Sequence, residues 1–193
     1  QKIIYDKIYP VKRYVSEQFK NILKEADQYK NVIVHAETGT GKTSAIFLNF
    51  ERLRPQSRCL ILVPLTIINN QLRKEYPKGA VFLTGTSSHI EHKEALTARF
   101  VVATYEQGIK HLKDNWFDYI FIDEVHQFLT AQSYKSKTIS EATKNLIGKK
   151  IIGLTGTPQQ IFKKIDFRMI SLQTSKIDKS EINLRFWNVA PFK

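Results

Sequence analysis

The chain has 193 residues, 42% of them hydrophobic and 25% charged, which is enough for one well-buried core and excludes a disordered chain. Lys and Arg outnumber Asp and Glu by 30 to 18, and the net charge of +12 suits a polyanion, nucleic acid before an acidic membrane, or else a merely basic solvated surface. A single cysteine, Cys59, excludes a disulfide framework and a cysteine zinc site within the chain, and no apolar run reaches transmembrane length.

In chain order, Tyr14, Val15, Phe19, Ile22, Leu23 and Ala26 recur at helical spacing and predict an amphipathic helix over 14–29. NVIVHA predicts a short β-branched strand, ETGTGKT a glycine loop, and KTSAIFLNFERL a helix. After the turn RPQS come the buried strand CLILVP, closed by Pro64, and the helix LTIINNQLRKEY. PKGA turns into the strand VFLT, and a short helix around IEHKEAL leads to the strand FVVATY and the helix EQGIKHL. YIFID is the next strand; a polar loop, TAQSYKSKT, precedes a helix ISEATKNLI and the strand KKIIGLT. Beyond Pro158 the rhythm weakens: RMISL and INLRFWNVA read as strands, the second with no helix after it. The strands are apolar throughout rather than at every second residue, and they alternate with helices. That pattern predicts an α/β fold, with a mainly parallel central sheet covered on both faces.

Three strings carry chemistry. AETGTGKT, 36–43, follows G-x-x-x-x-G-K-[ST], with Ala36 in place of the first Gly, and lies between a predicted strand and a predicted helix. Gly39 and Gly41 let backbone N–H groups turn inward around a β-phosphate, and the helix that follows aims its positive end at the same phosphates. Lys42 reaches the β- and γ-phosphates and the Thr43 hydroxyl coordinates Mg²⁺. The expected nucleotide-binding set is Glu37, Thr38, Gly39, Thr40, Gly41, Lys42, Thr43 and Ser44, with ATP and Mg²⁺ as cofactors.

YIFIDEVHQF, 119–128, ends an apolar strand on two adjacent carboxylates, and three readings compete: a metal site, an inconsequential polar strand end, or a motor motif. A zinc helix of the H-E-x-x-H kind needs two histidines on one face; this string has one, His126, in the order D-E-x-H after a strand. His35, His89, His92 and His111 make no ligand pair at that spacing in a matching context. Downstream of a phosphate loop, Asp123 takes the place of the acid that holds Mg²⁺, and Glu124 that of the group that orients and polarises the attacking water. GLTGTP, 153–158, closes another apolar strand; it brings the hydroxyls of Thr155 and Thr157 to a strand end, where sites gather on open parallel sheets, although such a string alone is also an ordinary turn.

These strings, in this order, resemble the first motor domain of superfamily 2 helicases of the DExH type, over roughly residues 14–158. AETGTGKT is similar to motif I, LVPLTIINNQL to motif Ia, VATYE to motif Ib, DEVH to motif II and LTGTP to motif III. The resemblance implies a three-layer RecA-like fold of the phosphate-loop NTPase class. It implies that His126 couples the ATP site to motif III through Thr155 or Thr157, and that Gln18 recognises adenine. Gln18 also reads as a polar position on an amphipathic helix. Pro64, Thr66, Thr84, Gly85 and Thr104 match positions that contact the nucleic-acid backbone, though each also reads as a turn or cap residue. The LTGTP form is similar to DNA-acting members and favours DNA over RNA. A second motor domain, with its transition-state arginine, has no counterpart here, so the chain reads as a fragment that binds ATP–Mg²⁺ and hydrolyses it poorly alone.

The expected organisation is a helical lead-in over 1–30, a RecA-like domain over 31–165, and terminal strands over 166–193 leading toward the second domain. The expected function is the ATPase domain of a DNA helicase, with two rivals: a double-strand translocase that never separates strands, and a nucleic-acid-binding module without motor output. No guanine-reading N-K-x-D string supports a GTPase. The expected setting is intracellular, without a membrane partner, cytoplasmic and nucleoid-associated if the source is a bacterium or phage; the sequence implies no oligomeric state.

Overall fold

A computed structural model describes residues 10–29, 31–35, 42–76, 80–112, 114–128, 150–156 and 168–171. Its elements follow the expected alternation: α1 (Pro10–Gln28), β1 (Asn31–His35), α2 (Lys42–Leu53), β2 (Cys59–Val63), α3 (Thr66–Glu75), β3 (Val81–Leu83), α4 (His89–Thr97), β4 (Phe100–Thr104), α5 (Tyr105–Leu112), β5 (Tyr119–Ile122), β6 (Lys150–Thr155) and β7 (Arg168–Ser171). Helix α1 begins at Pro10, ahead of the periodic apolar residues that marked it in the sequence. A proline is tolerated there because first-turn N–H groups have no intrahelical acceptor. The strand expected at INLRFWNVA, the polar loop TAQSYKSKT and the helix ISEATKNLI lie outside the described residues.

The strands form one sheet in the order β3-β4-β2-β5-β6-β1-β7, and every pairing is parallel. Successive side chains on a strand point to opposite faces. Cys59, Ile61 and Val63 therefore join Val32, Val34, Phe121, Ile152 and Leu154 in a core against α1, α2 and α3. Leu60 and Leu62 join Ile33, Val101, Ala103, Ile120 and Ile151 in a second core against α4 and α5. This two-sided burial is the reason the strands read as unbroken apolar runs, and it makes the fold a three-layer α/β sandwich.

The helices are fixed to the sheet by specific contacts. On the first face, Phe50 of α2 meets Phe100, Tyr119 and Phe121 edge-on at 5.3 to 6.0 Å between ring centroids. Lys150 at the start of β6 donates to the carbonyls of Ala26 and Asp27, placing a cation at the C-terminal end of α1. The buried Asn69 of α3 donates to the carbonyls of Leu83 and Val102, tying that helix to β3 and β4. With Phe19, Ile22, Leu23 and Ala26 buried, α1 belongs to the same core as the sheet. None of the described helices is long and apolar enough to cross a membrane.

The registers bring the carboxyl ends of three neighbouring strands level. His35 of β1 pairs with Thr155 of β6, and Ile122 of β5 pairs with Gly153 of β6. Asp123, Thr155 and His35 therefore lie at one edge, where ligands bind on open parallel sheets.

Candidate active site

Lys42 and Thr43 open α2, directly after the glycine loop, while Asp123 and Glu124 follow β5. The Thr43 hydroxyl donates to Asp123 Oδ2 at 3.2 Å, joining the two predicted magnesium ligands across the sheet edge. The Lys42 ammonium is buried, and burial lowers its pKa, with Glu124 and then Asp123 pulling it back up. The Asp123 carboxyl is held above the usual carboxylate range, first by burial and second by the adjacent Glu124, against the opposing pull of Thr43, Lys42 and the Glu124 N–H. The pair is thus short of positive charge and solvation. A hard dication on a hydroxyl and a carboxylate supplies both, so the donor set fits Mg²⁺.

The DEVH segment makes a tight exit from β5. The Asp123 N–H donates to the Leu62 carbonyl and extends the ladder by one residue. Glu124 then turns the chain with φ of 47°, a left-handed conformation rare outside glycine. A helical turn starts behind it, with the Gln127 N–H donating to the Glu124 carbonyl at 2.8 Å. Val125 and Phe128 point inward and are buried, leaving Glu124 and His126 partly exposed toward the sheet edge.

His126 Nδ1 lies 3.0 Å from Thr155 Oγ1 and 3.3 Å from Glu124 Oε2. A proton on Nδ1 reconciles the two contacts, since both oxygens then accept from it; a bare Nδ1 lone pair would face the carboxylate. The imidazole therefore joins the end of β5 to the end of β6. Thr157, the other coupling candidate, lies outside the described residues, as do Glu37, Thr38, Gly39, Thr40 and Gly41. Ser44 falls in the first turn of α2. Gln18 lies on α1, partly buried, with its side-chain oxygen accepting from Asn21 Nδ2 at 3.0 Å.

Of the five residues matched to nucleic-acid contacts, Thr104 ends β4, Thr66 begins α3, and Pro64, Thr84 and Gly85 follow the ends of β2 and β3. Thr66 opens α3 and is exposed, next to the half-buried Pro64 at the end of β2. Thr84 and Thr104 are buried, whereas Gly85 is exposed and a side chain there would meet open space. The Thr84 hydroxyl is within 3.0 Å of the Thr86 hydroxyl, and the Thr84 N–H donates to Ser87 Oγ, so Thr84 organises the turn that presents Gly85 and Thr86.

Sequence reasoning missed two supports of the site. Tyr105, read as the end of a strand within the string likened to motif Ib and given no role of its own, donates from its hydroxyl to the carbonyls of Asp123 and Glu124. Gly153 lets β6 approach Val125 closely; a Cβ there would lie 2.9 Å from three Val125 carbons. Neither has a local signal, because each acts on a residue distant in sequence.

A family model described as type III restriction enzyme, res subunit, matches residues 7–160. No curated protein matches the chain by sequence. Among solved structures, the chain is similar to the UvsW helicase from bacteriophage T4, at 19% identity over 74% of this chain and 55% of that one, with a TM-score of 0.55. It is similar to the Sulfolobus solfataricus SWI2/SNF2 ATPase core solved with double-stranded DNA, at 22% identity over 74% of this chain and 31% of that one, TM-score 0.51. It is also similar to a hypothetical ATP-dependent RNA helicase from Sulfolobus tokodaii, at 20% identity over 86% of this chain and 57% of that one, TM-score 0.61. At these identities the likeness is one of fold, the RecA-like domain of helicases. The chain spans just over half of the T4 helicase and under a third of the Sulfolobus ATPase core.

Proposed function

Because the chain belongs to the type III restriction enzyme res-subunit family and is a RecA-like nucleic-acid motor domain, we propose that it is the ATP-binding domain of a DNA helicase or translocase. The observation that carries this reading is the contact between Thr43, at the start of α2, and Asp123, at the end of β5, with the buried Lys42 beside two carboxylates. Lys42 binds the β- and γ-phosphates of ATP, together with the backbone N–H groups of Glu37, Thr38, Gly39, Thr40 and Gly41 and the first turn of α2 through Ser44. Thr43 and Asp123 hold Mg²⁺, which neutralises charge on the transferred phosphate when bound. Glu124 orients the attacking water and takes its proton, and His126 links that carboxylate to Thr155, with Thr157 as the other coupling residue. Gln18 reads the adenine. A single strand or duplex backbone passes over the carboxyl edge of the sheet, against Pro64, Thr66, Thr84, Gly85 and Thr104. Contacts of this sort position the phosphates without reading bases. A second RecA-like domain supplies the transition-state arginine, worth about 10³–10⁵ in rate in related NTPases.

Lys42→Ala tests the core of this reading: ATP affinity must collapse, and unchanged binding would show the phosphate site misassigned. A double-strand translocase that never separates strands is the second reading. It is favoured by the restriction-enzyme description of the family and by the similarity to an ATPase core solved with duplex DNA. Triplex displacement without strand displacement by the full-length protein selects it; strand displacement selects the helicase.

A further inference from the structure

We infer that Tyr105 is a positioning residue for Glu124, the group through which the nucleic-acid edge sets the geometry of hydrolysis. The inference rests on the nucleotide site proposed above. Tyr105 is the first residue of α5, immediately after Thr104 at the end of β4. In the sheet, β2 separates β4 from β5, so the two strands stand about 10 Å apart, at two interstrand spacings. The Tyr105 side chain bridges that gap at the carboxyl end of β2, and its hydroxyl donates to the carbonyls of both Asp123 and Glu124. Those carbonyls flank the one non-glycine residue with positive φ among the described residues, Glu124. A left-handed residue persists where its surroundings over-determine it. Here the constraints are the Tyr105 hydroxyl on one side and the Glu124 carbonyl's bond from the Gln127 N–H on the other.

The ring is itself fixed. It stands edge-on to Phe128 at 5.0 Å and 80°, the residue that anchors the far end of the same turn. Tyr105 thus holds both ends of the segment carrying Glu124 and His126, while its own backbone continues from Thr104. A backbone phosphate that shifts the end of β4 shifts the Tyr105 hydroxyl with it, and the Glu124 carboxylate moves relative to the attacking water.

The test is Tyr105→Phe in the full-length protein, which removes one oxygen and keeps the ring against Phe128. Three results are expected: nucleotide Kd and the KM for ATP within twofold of wild type, a roughly tenfold or greater fall in DNA-stimulated kcat, in the range set by displaced catalytic groups, and faster amide hydrogen exchange at 123–127 in the nucleotide-free protein. A kcat within twofold of wild type, or unchanged exchange, overturns the inference. Incorporating 3-fluorotyrosine at position 105 restores the donor and must retain wild-type kcat and exchange; loss in that protein overturns it equally, and this arm stands if the Phe variant fails to fold. Lys42→Ala, run alongside, separates the two readings. If it keeps nucleotide binding, the nucleotide site is misassigned; if it loses binding while Tyr105→Phe keeps kcat, only the role of Tyr105 fails.

Discussion

At the scale of single residues, the site is built at the expense of the fold. Asp123 is buried beside Glu124, and its carboxyl is held above the ordinary range chiefly by lost solvation. A carboxyl whose folded pKa exceeds its unfolded value binds its proton more tightly when folded, so the ionised group subtracts stability above that pKa. The metal-free protein should therefore gain stability as pH is lowered through the raised value. Asp123→Asn should abolish that gain, because the neutral amide keeps an acceptor for the Thr43 hydroxyl and the Glu124 N–H. At neutral pH the variant should melt above wild type without metal. It should also lose the stabilisation that Mg²⁺ and ADP give wild type. Scanning calorimetry of both proteins from pH 5 to 8, with and without Mg²⁺–ADP, checks the sign, and a lower metal-free midpoint for the variant would refute the account. Glu124 differs: it is partly exposed and its carboxylate faces His126. Glu124→Gln should leave ATP binding within about threefold and cut turnover by about 10²–10⁴-fold, the usual weight of general-base catalysis. Equilibrium binding and single-turnover hydrolysis on the same sample distinguish this from a binding defect.

At the scale of elements, the critical joint is the crossing of β6 over the turn after β5. Val125 is fully buried, and Gly153 gives it room. Gly153→Ala brings a methyl group to 2.9 Å from three carbons of a β-branched side chain with little freedom to rotate. Overpacking of this kind costs about 1–3 kcal/mol. Val125→Ala alone opens a cavity; in the double variant it removes the two Cγ contacts but leaves the Cβ of residue 125 at 2.9 Å, so the changes compensate in part and denaturant unfolding should show a cost below the sum of the singles. Additive costs would mean that the crowding lies elsewhere. This joint also marks what the sequence could and could not disclose. The strands β2, β4 and β5 were legible because each is apolar on both faces. The start of α2 was legible because Gly41, Lys42 and Thr43 form a motif whose chemistry requires a helix there. The Asp123-Glu124 end of β5 was legible only in company with that motif. Gly153 carries no local signal, because the residue that needs the glycine's space, Val125, lies on another strand's exit. Tyr105 was missed for the same reason, since its partners are two strands away. Thr84 shows the converse: matched by position to a nucleic-acid contact, it spends its hydroxyl within its own turn, beside the exposed Gly85 and Thr86.

At the scale of the molecule, charge and contact are divided between different residues. The chain carries a net +12, yet Pro64, Thr66, Thr84, Gly85 and Thr104 are all uncharged. A hydroxyl or backbone N–H that binds a phosphate displaces water but releases no counterion, whereas each Lys or Arg that neutralises a phosphate does. The two contributions should therefore separate in a salt titration. For wild type, log K for duplex or single-stranded DNA should fall linearly with log salt. Three neutralised phosphates would cost about 40-fold between 50 and 200 mM on duplex DNA, from a slope of about −0.9 per contact. Thr66→Ala removes the exposed hydroxyl at the start of α3 and should shift the whole line down by about fivefold, the worth of one net hydrogen bond of about 1 kcal/mol. The slope should not change. Fluorescence anisotropy on a labelled oligonucleotide across that salt range reads both quantities. A parallel, lowered line places the backbone over the carboxyl edge of the sheet, held by neutral groups and drawn there by the basic surface. A coincident line removes Thr66 from the contact, and an altered slope would mean that the substitution rearranged the charges and not one hydrogen bond.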